Sequence, residues 1–310
     1  MAPEQTPSYL DWKTLDRLRR LDVTARQIVE GFVNGQHRSP YHGFAVEFAT
    51  HREYSPGDDL RHIDWKVWSK TDRLYIKEYE EETNLRCQLI VDCSKSMAYG
   101  KLPSKFDYAC TAAACLAYLL TQQQDAVGLT TFHNKIVAQL PTSSHPNHLR
   151  QLIDTLQKTT PAETTTPDRV LADLAAHFRS RGIVALFSDL FVPLDRLKES
   201  LQQFLLRKQE VIVFHVLHSD ELTFPFEKNT QFQGLETPVK LLTEPRALRK
   251  GYLEAVNRFL ADVKKLCSTI GVDHVLLNTA DPLDGVLGNY LAFRQKVRKR
   301  IGGRAKGGGA

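Results

Sequence analysis

Short apolar runs alternate along this chain with longer stretches in which apolar positions recur at helical spacing. Leu89-Ile90-Val91 and residues 126–132, 182–187, 210–216 and 272–277 have strand length and are rich in β-branched and aromatic side chains. Periodic segments between them predict helices over about 106–120, 146–157, 169–178, 194–207 and 247–266. A run that is apolar throughout, rather than at every second position, predicts a strand buried on both faces. Such strands alternating with helices predict an α/β fold, a mostly parallel sheet covered on both sides. Residues 222–245 interrupt the alternation with a polar and aromatic stretch that suits a hairpin.

The first third of the chain follows a different pattern. Leu18, Leu21, Ile28 and Phe32 share one face of a helix predicted from about Leu10 to Asn34, an amphipathic element that packs on the main domain. From Gly35 to Asp64 the sequence is irregular, with a turn signal at Ser55-Pro56-Gly57-Asp58. His51, Asp58, Asp59, His62 and Asp64 fall here, but their spacing matches no zinc pattern, and Arg–Asp pairs and caps account for them. A strand over 74–79 is expected to lead towards the central strand at Leu89. The implied division is an extension over 1–82, an α/β domain over 83–281, a C-terminal helix over 282–301 and a disordered tail over 302–310. Gly302-Gly303 and Gly307-Gly308-Gly309 offer that tail no apolar surface to offset ordering.

Composition narrows the functional classes. Hydrophobic residues are 42% and charged residues 25% of the 310 positions, ordinary values for a globular chain. No run approaches the ~18 apolar residues of a membrane span, and the N-terminus has no basic-then-apolar leader. The net charge is +5, but Arg294, Lys296, Arg298, Lys299, Arg300, Arg304 and Lys306 carry seven positive charges. Subtracting those seven from +5 leaves −2, so the body is not a basic nucleic-acid platform. The basic run suits a helix end, where cations complement the dipole. Cys87, Cys93, Cys110, Cys115 and Cys267 lack CxxC spacing and read as small buried hydrophobes in a reducing cytoplasm.

Candidate chemistry concentrates where the central strand ends, at Asp92-x-Ser94-x-Ser96. One carboxylate and two hydroxyls just past the carboxyl end of a central strand lie where α/β sheets bind ligands. All three are oxygen donors, the set that Mg²⁺ takes with one or two carboxylates and several retained waters. A second buried strand ends in Ser188-Asp189, and the loop Pro161-Ala162-Glu163-Thr164-Thr165-Thr166-Pro167-Asp168 opens a helix. Pro167 suits a first helical turn and Thr166 a cap.

Together these loops resemble the metal-ion-dependent adhesion site of von Willebrand factor A domains. The resemblance implies a von Willebrand A-like, Rossmann-like fold and a site for Mg²⁺ or Mn²⁺ built from Asp92, Ser94, Ser96, Thr165 and Asp189. The two Ser and the Thr would bind the ion, and the Asp residues would act largely through water. Thr164 and Thr166 remain alternatives to Thr165. Where those domains often carry Asp-Gly, this chain has Asp189-Leu190.

A longer resemblance runs through Ser39-Pro40-Tyr41-His42-Gly43-Phe44, Arg52-Glu53-Tyr54-Ser55-Pro56-Gly57-Asp58-Asp59, Arg61-His62-Ile63-Asp64-Trp65 and Lys77-Glu78-Tyr79-Glu80-Glu81-Glu82. It continues through Phe187-Ser188-Asp189-Leu190-Phe191. These segments are similar to a bacterial domain-of-unknown-function family, number fifty-eight in its series. That likeness implies association with a MoxR-type AAA+ ATPase and an adaptor or chaperone-like role in the cytoplasm. The metal would then be completed by a carboxylate from the partner, with 52–65 as a second contact surface. The alternative is a Mg²⁺-dependent hydrolase using the same residues. Against it, Ser94 stands where a haloacid-dehalogenase nucleophile would need a second acid, and GxSxG, GxxxxGK[ST] and GxGxxG motifs are absent from the sequence.

Overall fold

The computed structural model describes residues 25, 28–29, 50–54, 68, 73–78, 85–100, 103–145, 147–162, 167–178, 180–228, 230–235, 240–283 and 285–293. Most of the predicted N-terminal helix, the 55–65 motif, Thr164, Thr165 and Thr166, the basic run 294–300 and the 302–310 tail lie outside them. The chain divides into two compact units, Asn34–Asn84 and the combination of Met1–Val33 with Leu85–Ala310.

In the smaller unit, β1 (Thr50–Glu53) pairs antiparallel with β2 (Tyr75–Glu78). The strand expected near 74–79 is therefore present, as one half of this two-stranded ladder. Tyr54 N–H donates to the Leu74 carbonyl at 2.9 Å and so extends the pairing toward the connecting loop.

The larger unit is built on a six-stranded sheet. Its strands are β3 (Arg86–Asp92), β4 (Ala126–Phe132), β5 (Ile136–Ser143), β6 (Gly182–Ser188), β7 (Gln209–Leu217) and β10 (Asp273–Asn278). The order is β10-β7-β6-β3-β4-β5, parallel except at β5. This is the mostly parallel, von Willebrand A-like arrangement that the motif resemblance implies. A separate hairpin, β8 (Thr230–Gln233) with β9 (Lys240–Thr243), occupies the stretch expected to form one.

Burial follows the two-residue period of each strand. Leu89 and Val91, Ala185 and Phe187, and Ile212 and Phe214 face one apolar cluster. Ile90, Val184, Leu186, Val211 and Val213 face the other. On the first face lie α1 (Lys105–Gln122), α2 (His148–Lys158) and a helical run over 285–293. On the second lie α3 (Pro167–His177), α4 (Leu194–Leu206) and α6 (Pro245–Ile270). A one-turn helix, α5 (Ser219–Thr223), follows β7. Ala25 and Val29 are buried in the first cluster with Ile28 packed against it, so the described part of the N-terminal segment covers this face as an amphipathic helix would.

Chain order determines where a site can form. From β3 the chain passes to β4 on one side, then crosses to β6 on the other. The carboxyl ends of β3 and β6 thus flank the topological switch point, the crevice where open α/β sheets bind ligands.

Candidate functional site

Asp92 ends β3 and is almost fully buried, as are Ser94 and Asp189. Burial of two carboxylates at neighbouring strand ends requires donors, and the loops supply them. Asp92 Oδ1 accepts from the Ser94 amide at 2.9 Å, and Asp92 Oδ2 accepts from Ser188 Oγ at 2.7 Å. Ser188 Oγ also accepts from the Leu190 amide at 3.1 Å, tying the β6 loop to the β3 loop. Ser94 Oγ and Ser96 Oγ lie 3.0 Å apart, with Ser96 at the edge of the crevice on the 3-10 turn Lys95–Ala98. Four of the five residues singled out from the sequence, Asp92, Ser94, Ser96 and Asp189, are therefore at the carboxyl edge between β3 and β6. Thr165 lies outside the described residues. The segment leading to it passes the same loop, because the Ala162 amide donates to the Cys93 carbonyl at 3.0 Å.

Electrostatics set Asp92 apart. Burial first, and then the nearby Asp189 carboxylate, push its carboxyl up to about 7 despite the donors from Ser188 and Ser94. A buried acid raised by a like charge in a crevice is a signature of functional sites.

The structure adds residues that sequence reasoning missed. Lys105, the first residue of α1, is buried to 1% exposure, and its Nζ donates to Asp189 Oδ2 and to Glu221 Oε1, each at 2.8 Å. Burial pulls this ammonium towards deprotonation, but Asp189 and Glu221 outweigh that and hold it above its ordinary value. The Phe191 ring lies 4.8 Å from the same nitrogen and is half exposed at the surface. His215, on β7, holds the Asp189 backbone: its Nε2 is 2.9 Å from the Asp189 carbonyl, and its Nδ1 is 3.2 Å from His274 Nε2. That geometry fits a chain in which each imidazole donates through Nε2. Burial, followed by the neighbouring His274, lowers the His215 imidazole to about 3, so the chain is neutral. Ser188 was visible as the neighbour of Asp189. The signal for Lys105 was a lone cation opening an Ala/Cys/Leu-rich helix, and Glu221 had none.

Leu190 accounts for the missing glycine. It has φ 56°, the left-handed region that Gly adopts freely and leucine does not. Its amide bond to Ser188 Oγ, the Val192 amide on its carbonyl at 2.6 Å and a buried side chain hold it there.

Among the described residues, no group of three His, Cys, Asp or Glu side chains is placed to hold a metal. A cation at this crevice would thus depend on serine hydroxyls and a carboxylate, which suits hard ions rather than zinc.

The sequence profile described as protein of unknown function DUF58 matches residues 50–260. An uncharacterized protein of Mycobacterium tuberculosis, Rv1480, is 26% identical over 279 residues, spanning 87% of this chain and 86% of that one. Among solved structures, an aerotolerance-related membrane protein of Bacteroides fragilis is similar at 17% identity and a TM-score of 0.46, over 69% of this chain and 99% of that one. The conserved hypothetical protein BatB of Bacteroides thetaiotaomicron is similar at 16% identity and a TM-score of 0.43, over 68% and 99%.

Proposed function

The chain belongs to the DUF58 family, and from that premise we propose that it is a protein-interaction module whose contact is completed at a divalent-cation site formed by Asp92, Ser94 and Ser96. The observation that carries the reading is the convergence of the two serine hydroxyls, hydrogen-bonded to each other at 3.0 Å, on the same crevice as buried Asp92. Adjacent oxygens of an octahedral Mg²⁺ shell, each ~2.1 Å from the ion, lie ~3.0 Å apart. Asp92 supports it, since a carboxyl held near 7 by burial and by Asp189 gains most from a neighbouring positive charge. Thr165 is the residue from the third loop proposed to join them, with Thr164 and Thr166 as alternatives, and Asp189 would act through water.

Bound there, Mg²⁺ or Mn²⁺ would supply positive charge and an open position for an anionic group. The protein's own groups do the rest. Ser188 and the Ser94 amide orient Asp92, the His274–His215 chain fixes the Asp189 carbonyl, and half-exposed Phe191 offers apolar surface beside the crevice. A partner carboxylate fits this setting better than a substrate for hydrolysis. Among the described residues Asp92 is the one acid raised towards neutrality, yet both its oxygens accept donors and it exposes 1% of its surface, so it is poorly placed to act as a base on a bound water.

The proposed partner is a MoxR-type AAA+ ATPase and the proposed location the cytoplasm, in keeping with five buried cysteines. Among the described residues no helix is long and apolar enough to cross a membrane. Capture of a purified MoxR-type ATPase by the immobilised chain, with MgCl₂ or with chelator, tests the reading. Asp92→Ala and chelator should each weaken capture to a similar degree, and together should add little. Capture that survives both treatments excludes the cation-bridged contact.

A further inference from the structure

Lys105 is the least expected group near the crevice. Lysine is almost never fully buried unless paired, and the first turn of a helix, here capped by Ser104 and Asp107, is where the helix dipole disfavours a cation. Two carboxylates from different elements hold it: Asp189 from the loop after β6 and Glu221 from α5, both at 2.8 Å. The consequence falls on Asp189. Its Oδ2 accepts the ammonium, and its Oδ1 accepts the Phe191 amide at 3.4 Å. Each oxygen of the second acid at the switch point is thus engaged, one of them by a full positive charge.

Resting on the cation reading above, we propose that Lys105 is the resident cation of this site: by neutralising and orienting Asp189, it holds that acid out of direct coordination to a divalent ion, leaving it a contact through water alone, and sets the site's affinity low. A site in which one carboxylate, Asp92, offsets the ion's charge holds Mg²⁺ weakly and leaves it electropositive towards an incoming anion. A site with two would hold the ion more tightly and present less net charge to a partner. Glu221 tunes the arrangement, because it shares the ammonium with Asp189.

Calorimetric titration of the full chain with MgCl₂ and with MnCl₂ tests this. Lys105→Met leaves two buried carboxylates without their cation and can fail to fold. The paired variant Lys105→Met/Glu221→Gln removes one of those acids and is measured alongside it. In either background the dissociation constant should fall at least tenfold relative to wild type. Adding Asp189→Asn to the paired variant should abolish that gain, which separates release of Asp189 from the mere loss of a nearby positive charge. Asp189→Asn alone should change affinity less than threefold. If wild type binds the ion and the paired variant binds within twofold of it, Lys105 does not set the affinity and the proposal is overturned while the cation site stands. A tenfold gain that persists with Asp189→Asn overturns it equally. If neither wild type nor any variant binds either ion, the cation site falls and the proposal with it.

Discussion

At the residue scale, Asp92 is the decisive group. Its carboxyl is held at about 7 in the folded chain against an ordinary 3.8, so between those values the folded state keeps a proton that the unfolded chain has released. That stability is present below about pH 4 and is lost as the pH rises to 7. His215 works in the opposite direction: lowered to about 3 from 6.5, it destabilises the fold as the pH falls below 6.5. Asp92→Asn isolates the first effect. The metal-free variant should lack the loss between pH 4 and 7 and should exceed wild type at pH 8 by a few kcal/mol, since each tenfold change in proton affinity on folding is worth about 1.4 kcal/mol. Urea unfolding across pH checks it, and parallel curves for the two proteins would contradict it. Leu190 gives a second test. Leu190→Gly relieves a left-handed residue, a gain of ~1–2 kcal/mol, but it removes a buried side chain of the kind whose loss costs ~2–5 kcal/mol. The variant should therefore lose about 1–3 kcal/mol in chemical denaturation, and a gain would show that strain outweighs packing at this turn.

At the element scale, the sequence exposed what periodicity can expose. Strands β3, β4, β6, β7 and β10 were legible because they read as nearly unbroken apolar runs, four of them buried on both faces. β5 was not. As the antiparallel edge strand it is only half buried, it exposes Gln139 between part-buried Ala138 and Leu140, and it tolerates Pro141, which an interior strand would not. The strand near 74–79 was legible, but its partner β1 was not, since apolar pattern identifies a strand and not the strand it pairs with. The candidate site divided in the same way. Asp92, Ser94 and Asp189 were legible from their place after apolar runs, whereas Lys105 and Glu221 meet only because the fold brings α1 and α5 together. The capping box that starts α1 is a local feature with a local effect: Ser104 Oγ accepts from the Asp107 amide at 3.1 Å, and Asp107 Oδ2 accepts from the Ser104 amide at 3.3 Å. Ser104→Ala should cost about 1 kcal/mol, seen as a lower urea midpoint at unchanged slope. A shift too small to measure would mean that burial alone holds the helix start.

At the scale of the whole molecule, the family match over residues 50–260 spans the β1–β2 ladder and most of the α/β unit, so the shared feature is larger than one metal-binding loop. Within the α/β unit, sheet order brings β3 and β6 together at the switch point, and two buried clusters hold those strands in place. The central claim is that this scaffold presents a hard cation to a partner, and binding of the ion is its first requirement. Calorimetric titration of the purified chain with MgCl₂ at neutral pH, beside Asp92→Ala and Ser96→Ala, measures that requirement directly. The expected result is weak, saturable heat at one site per chain for wild type and its loss in both variants, each still folded by circular dichroism. Equal heats from all three proteins, or none from wild type, would contradict it.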